Sequence, residues 1–151
     1  MKTSRAAVDE FLAKRAIAIV GASRSGKKFG NIAMRELRAK GYRVYPIHPI
    51  ATTIDDQPCF SSFVKLPEKV DALLVVVPPI AALDVIRDAA QAGLHYVWLQ
   101  QGSESADVVA LCHELHLVVI PGECILMFAQ PRGFHKLHRW IWGAFGRLPT
   151  H

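Results

Sequence analysis

Apolar residues come in short unbroken runs, and amphipathic stretches separate them along most of the chain. Ala16-Ile17-Ala18-Ile19-Val20 is the first run, and Gly21 ends it. A continuous run of this length is the pattern of a strand buried on both faces, as in a parallel sheet. Ahead of it, Ser4 predicts the cap of a short helix reaching about Lys14, with Ala7, Phe11 and Leu12 on one face. After it, residues 30–40 carry Ile32, Met34 and Leu37 at helical spacing, and Gly41 closes the segment in a left-handed cap. The alternation then recurs. Residues 42–47 predict a second strand ended by His48-Pro49, and residues 71–77 a third stopped by Pro78-Pro79. Residues 80–92 predict a helix with Leu83, Ile86 and Ala90 inward, capped by Gly93. Residues 95–99 predict a fourth strand ending at Gln100-Gln101-Gly102. Ser103 caps a helix to about Leu115, and residues 117–120 form a fifth strand broken by Pro121-Gly122. Residues 50–70 break the alternation and read as irregular, with one helical turn near Ser61.

Strands alternating with helices at this spacing predict an α/β fold, a doubly wound sheet of five mainly parallel strands with helices on both faces. Ligands of such sheets sit beyond the carboxyl ends of the strands, near the point where strand order reverses. The predicted ends are Gly21-Ala22-Ser23, His48-Pro49, Val77-Pro78-Pro79, Gln100-Gln101-Gly102 and Glu123-Cys124. Glycine, proline and small polar residues gather at them, which locates a site before any ligand is named.

The 151 residues suffice for one domain, with a core over 15–124 and a tail over 125–151. Apolar residues at 51% and charged residues at 21% describe a globular chain, and no run reaches the length of a membrane span. The basic N-terminus is followed by no apolar signal core, and the three scattered cysteines argue against a disulfide framework. Both point to a cytoplasmic protein. The net charge of +5 fits an anionic ligand, and its basic residues concentrate at Arg24, Lys27 and Lys28 and in the tail.

The loop after the first strand carries the chemistry. Gly21 turns the chain sharply, Ser23 offers a hydroxyl, and the backbone N–H groups where the next helix starts attract an anion. Arg24, Lys27 and Lys28 add positive charge, so the loop reads as a phosphate site. Gly21 to Lys28 spells G-x-x-x-x-G-K-K, one residue from an ATPase loop. Lys28 stands where a magnesium-binding hydroxyl is needed, and no strand ends in a magnesium-binding Asp, which disfavours an ATPase. A nicotinamide dinucleotide is disfavoured too. Ser23 replaces the second glycine of G-x-G-x-x-G, and Pro46-Ile47-His48-Pro49 offers no carboxylate for the ribose. A phosphorylated ribose, as in NADP or coenzyme A, remains open.

Val20-Gly21-Ala22-Ser23, Gly30-Asn31, Gly41-Tyr42-Arg43-Val44-Tyr45-Pro46, His48-Pro49, Val77-Pro78-Pro79 and Val97-Trp98-Leu99-Gln100-Gln101-Gly102 together resemble the stand-alone CoA-binding domain family. That family is similar to the N-terminal domain of the succinyl-CoA synthetase alpha subunit. The resemblance spans residues 16–124 and implies a five-stranded Rossmann-like fold with coenzyme A, or an acyl-CoA, across the strand ends. By position, it implies that Gly21, Ala22, Ser23 and Arg24 hold phosphates and that Lys28 is a further phosphate or ribose contact. It implies that His48, Pro49, Val77, Pro78 and Pro79 line the groove for the base and the pantetheine arm. Gln100 and Gln101 would add polar contacts, and Gly102 would open the next helix. Many members carry Asn at the position of His48. The synthetase's phosphorylated histidine lies in a second domain, so binding rather than catalysis is expected. The alternative is an NADP-linked oxidoreductase or an accessory subunit of an acyl-CoA enzyme.

Cys124 follows the fifth strand, where the family often has a cysteine; it reads as a buried apolar residue, with a mixed disulfide to the ligand thiol as the competing role. Cys112 with His116, and His135 with His138, are pairs, and a metal site needs three protein ligands, so no metal is expected. In the tail, Phe134, Leu137, Ile141 and Phe145 form an apolar stripe beside Lys136, Arg139 and Arg147. This predicts a basic amphipathic C-terminal helix packing on its own domain or across a homodimer. Two Trp beside basic residues would also fit a membrane surface, while no nucleic-acid motif accompanies the charge.

Overall fold

The apolar runs become parallel strands in a computed structural model of the protein, which describes residues 3–129. Helix α1 (Arg5–Ala13) leads into β1 (Ala16–Val20), α2 (Phe29–Ala39) and β2 (Arg43–Ile47). A hairpin of β3 (Thr53–Ile54) and β4 (Gln57–Pro58) follows, then a 3-10 turn (Phe63–Lys65). The chain continues through β5 (Ala72–Val75), α3 (Pro79–Gln91), β6 (Tyr96–Leu99), α4 (Ala106–Glu114) and β7 (Val118–Pro121), with a last 3-10 turn at Ile125–Met127. The basic C-terminal helix and its homodimer contact lie outside the described residues. No helix among the described residues is long and apolar enough to cross a membrane.

The main sheet has the order β2-β1-β5-β6-β7, and each pairing is parallel. This is the five-stranded, Rossmann-like α/β sheet that the sequence predicts. Strand order reverses between β1 and β5, which sets the ligand crevice of such sheets above these two strands. The register pairs Ile47 with Val20, Val20 with Val75, Val75 with Leu99 and Leu99 with Pro121. The five carboxyl ends therefore stand in one row.

Alternate residues of each strand feed two cores, as the two-residue period of a strand requires. Ile17, Ile19, Leu74, Trp98 and Ile120 pack under α1, α2 and the last 3-10 turn. Ala18, Leu73, Val75, Val97 and Leu99 pack under α3 and α4. Trp98 is the largest fully buried side chain among the described residues. It meets Phe11 edge-on at 5.3 Å between ring centroids and Phe128 at 5.7 Å, and its Nε1–H donates to the Glu123 carbonyl at 2.8 Å.

Several expectations change. Ile32 was expected inward but points outward, because the buried face of α2 runs through Gly30, Ala33, Met34 and Leu37 and leaves Ile32 to one side. On α3 the buried stripe is Ala82, Ile86 and Ala89, with Leu83 and Ala90 at its margin. Ser105, not Ser103, caps α4: its hydroxyl accepts from the Val108 N–H at 3.2 Å. Ser103 is drawn into the preceding turn, where its N–H donates to the Gln100 carbonyl. Residues 50–70 are not simply irregular. Asp55 and Asp56 sit at φ 50 and 60, the left-handed pair of a type I′ turn, and close the β3–β4 hairpin. No α-helix covers the crossover from β2 to β5.

The outer edge of β2 is occupied by the same crossover. Phe60 N–H donates to the Pro46 carbonyl and Phe60 O accepts from His48 N–H, both at 2.9 Å. The Arg38 guanidinium donates to the Val44 carbonyl, and Pro46 has no N–H to offer. Farther along, Glu68 accepts from Arg43 at 2.7 and 2.9 Å and from the Tyr45 hydroxyl, fastening the segment before β5 to β2. Hydrogen bonds from Arg43 first, then Tyr45, hold the Glu68 carboxyl down to about 2, against an ordinary 4.5. A carboxyl whose pKa is lowered by folding stabilises above the ordinary value and loses that contribution as pH falls through the folded one. The fastening is therefore expected to weaken between about pH 4.5 and pH 2. Carboxyl-detected NMR titration should find the Glu68 midpoint near 2, and Arg43→Gln should return it toward the ordinary carboxylate range.

Candidate functional site

The loop from Gly21 to Lys28 is packed between Val76 and α2 so closely that two glycines are required. A Cβ on Gly21 would stand 2.2 Å from the Val76 carbonyl oxygen, and Gly21 has φ 124. A Cβ on Gly30 would stand 2.5 Å from the Gly21 carbonyl oxygen and 2.8 Å from the Ala22 nitrogen. The first turn of α2 thus rests on the loop's own backbone. Lys28 precedes this helix and gives it no side-chain cap; its carbonyl accepts from the Asn31 N–H at 3.0 Å.

Asn31 fixes the loop's shape. It is fully buried; its Oδ1 accepts from Ser23 N–H and its Nδ2 donates to the Ser23 carbonyl, both at 2.9 Å. The Ser23 hydroxyl, expected to face a phosphate, accepts from Ser25 N–H at 3.1 Å and shares a 3.0 Å hydrogen bond with the Ser25 hydroxyl. Ala22 is buried beneath the loop. Arg24, Lys27 and Lys28 are exposed and, among the described residues, join no ion pair. Arg35, beside them, is paired with Asp55.

Across the crevice, His48 builds a turn. Its Nδ1 accepts from Ile50 N–H at 3.1 Å and Ala51 N–H at 3.0 Å, which puts the ring proton on Nε2. An Asn would set its Oδ1 in a similar place. Pro78 and Pro79 start α3, where a missing N–H is tolerated, and Val76 N–H donates to the Val20 carbonyl just past the strand ends. Because no helix covers the β2–β5 crossover, a groove of about 790 Å³ opens below, with Val20, Ile47, Pro49 and Phe63 on its apolar side and Ser61, Ser62, Asp88 and Gln91 on its polar side. Ile50, Val64 and Ile80 are 72%, 80% and 81% exposed in the loops and helix start around this end of the sheet.

Gln100 turns inward. It is 5% exposed, and its Oε1 accepts from Ile125 N–H at 3.1 Å, so it anchors the last 3-10 turn. Gln101 is exposed at the strand-end row. Gly102 does not open a helix; its N–H donates to Glu104 Oε2 at 2.8 Å, and α4 begins four residues later. Cys124 is buried among core residues, as the apolar reading expects. Burial pushes the Cys112 thiol up to about 12 and raises that of Cys59 as well. Among the described residues no three His, Cys, Asp or Glu side chains cluster as metal ligands; His135 and His138 lie outside them.

Two residues of this region had no assigned role in the sequence. Asp55 comes to the loop from the hairpin tip, and Asn31 bridges the two. The only local signal for Asp55 is a pair of acids, both tolerant of left-handed backbone, flanked by Thr53-Ile54 and Gln57.

Residues 15–130 match a family model described as CoA binding domain. Among curated relatives, the ADP-forming acetate–CoA ligase I of Archaeoglobus fulgidus is 39% identical over 64 residues, 42% of this chain and 9% of that protein. The alpha subunit of the ADP-forming acetate–CoA ligase II of Pyrococcus furiosus is 24% identical over 129 residues, 78% of this chain and 28% of that one. This chain thus spans less than a third of either ligase. A solved structure of a conserved hypothetical protein from Pyrococcus furiosus superposes with a TM-score of 0.70 at 37% identity, covering 74% of this chain and 97% of that one.

Proposed function

The chain belongs to the CoA-binding domain family, and from that premise we propose that it binds coenzyme A or an acyl-CoA across its strand-end row without catalysis of its own. One observation carries the reading: three exposed cations that, among the described residues, join no ion pair stand on the loop at the strand-order reversal, and a groove opens next to Val20 at the end of the same strand. In this reading the phosphates lie against Gly21, Ala22, Ser23 and Arg24, with Lys28 as a further contact. The base enters the groove by His48 and Pro49. The pantetheine arm crosses Val77, Pro78 and Pro79 toward Gln101. Gln100 supports that end from beneath, and Gly102 supplies backbone there. The family match gives the NADP alternative no support. Free thiols at Cys59, Cys112 and Cys124 fit a reducing cytoplasm.

A second reading has the chain serve as the accessory subunit of an acyl-CoA enzyme, since one relative is named as the alpha subunit of a CoA ligase. Calorimetry with CoA, dephospho-CoA and NADP tests the first reading. CoA should bind and weaken as salt rises, because exposed cations are screened. Arg24→Glu with Lys28→Glu should lower its affinity by about tenfold or more, the scale of losing charge-assisted phosphate contacts. Absence of CoA binding, or tighter binding of NADP, would overturn the reading. Retention of full affinity in the double variant would remove the loop from it.

A further inference from the structure

We infer that the β3–β4 hairpin is a latch on the phosphate loop and that Asp55 is its positioning residue, an inference resting on the reading of that loop as the phosphate site. Two side chains of α2 converge on its carboxylate. Asn31 Nδ2, already bonded to the Ser23 carbonyl, also donates to Asp55 Oδ2 at 3.3 Å. Arg35 stands 3.8 Å from the same oxygen and donates to the Gly26 carbonyl at 2.7 Å. Asp55 therefore orients both side chains that grip the loop, one at Ser23 and one at Gly26.

The arrangement is built from the α2 side and locked from the hairpin side. Asn31 has two amide protons and one oxygen for bonding, and all three have named uses: the Ser23 carbonyl, Asp55 and the Ser23 N–H. Without Asp55 one proton of a fully buried amide loses its partner, which penalises the orientation that holds Ser23. Arg35 would also lose the carboxylate beside it and become a fourth mobile cation near the loop. The hairpin belongs to the same crossover that supplies Phe63 and Val64 to the groove. The latch thus joins the phosphate end of the site to the groove.

Charge alone predicts the opposite outcome, and this makes the inference testable. Removing an acid beside a basic loop should strengthen binding of a polyanion. Asp55→Gly and Asp56→Gly remove the same charge at adjacent positions, and glycine accepts the left-handed backbone of both. Amide exchange at Ser23, followed by NMR in the ligand-free protein, should be about tenfold faster in Asp55→Gly, the effect of one lost hydrogen bond to a charged group. Asp56→Gly should exchange like the unaltered protein. CoA affinity should fall about tenfold in Asp55→Gly and hold or rise in Asp56→Gly. Equal Ser23 exchange in the two variants overturns the latch. If the unaltered protein binds no CoA, the functional reading fails and the exchange comparison still decides the latch. If the glycine variants do not fold, Asp55→Asn against Asp56→Asn keeps the turn and is expected to show the same order with a smaller gap.

Discussion

Gly30→Ala is expected to destabilise the protein by about 1–3 kcal/mol and to lower CoA affinity by at least about tenfold. Helix propensity points the other way, since Ala is favoured over Gly in a helix by roughly 1 kcal/mol. The steric term wins because the atoms it meets cannot turn aside. The new Cβ would lie 2.5 Å from one loop backbone atom and 2.8 Å from another, so either the loop or the helix start must move. The movement would draw Ser23 from Asn31 and shift the N–H groups of the first helical turn away from the proposed phosphate position. Chemical denaturation and calorimetry on the same sample check both halves. A stable variant with full affinity would mean that the helix does not need to rest on the loop.

Trp98→Ala should cost about 3–5 kcal/mol, a large share of the roughly 5–15 kcal/mol that holds an ordinary domain together. The side chain is completely buried, and its removal empties the space between Phe11 and Phe128. It also deletes the bond to the Glu123 carbonyl, just beyond the end of β7. Trp98→Phe separates the contributions. It keeps most ring contacts, loses the hydrogen bond, and should cost about 1 kcal/mol for that bond plus a smaller packing loss. Urea midpoints of the two variants check the order, and equal losses would assign the whole effect to the hydrogen bond.

The parallel sheet was legible because β1, β5, β6 and β7 are short apolar runs stopped within two or three residues by glycine, proline or glutamine, while β2 opens on Arg43 and ends at His48-Pro49. Gly21, Pro78 and Gly122 mark strand ends in the sequence and stand near those ends in space. The register that aligns them could not be read locally, since it arises from pairing across the sheet. The hairpin escaped because its strands have two residues each, too few for a period, and its turn is Asp-Asp rather than the Asn-Gly or Asp-Gly that signals such a loop. Ser103 and Ser105 are equivalent as caps in the sequence; the choice is made by the turn at Gln100, which takes Ser103 before the helix can use it. At the site, the glycines and cations were visible as residue types. Gln100 was not, because its inward orientation depends on the Ile125 N–H twenty-five positions away. Asn31 and Asp55 are twenty-four positions apart, and only folding makes them neighbours.

The closed edge of β2 also limits how this protein can associate. A sheet with two open edges can add copies without end, which is the geometry of fibrils. Here Phe60, Arg38 and Pro46 take up the pairing groups on one side. Among the described residues this leaves β7 as the other edge of the main sheet, and two copies joined there would present a covered β2 to either side. Among the described residues, growth of the folded main sheet through its edges would end at such a pair.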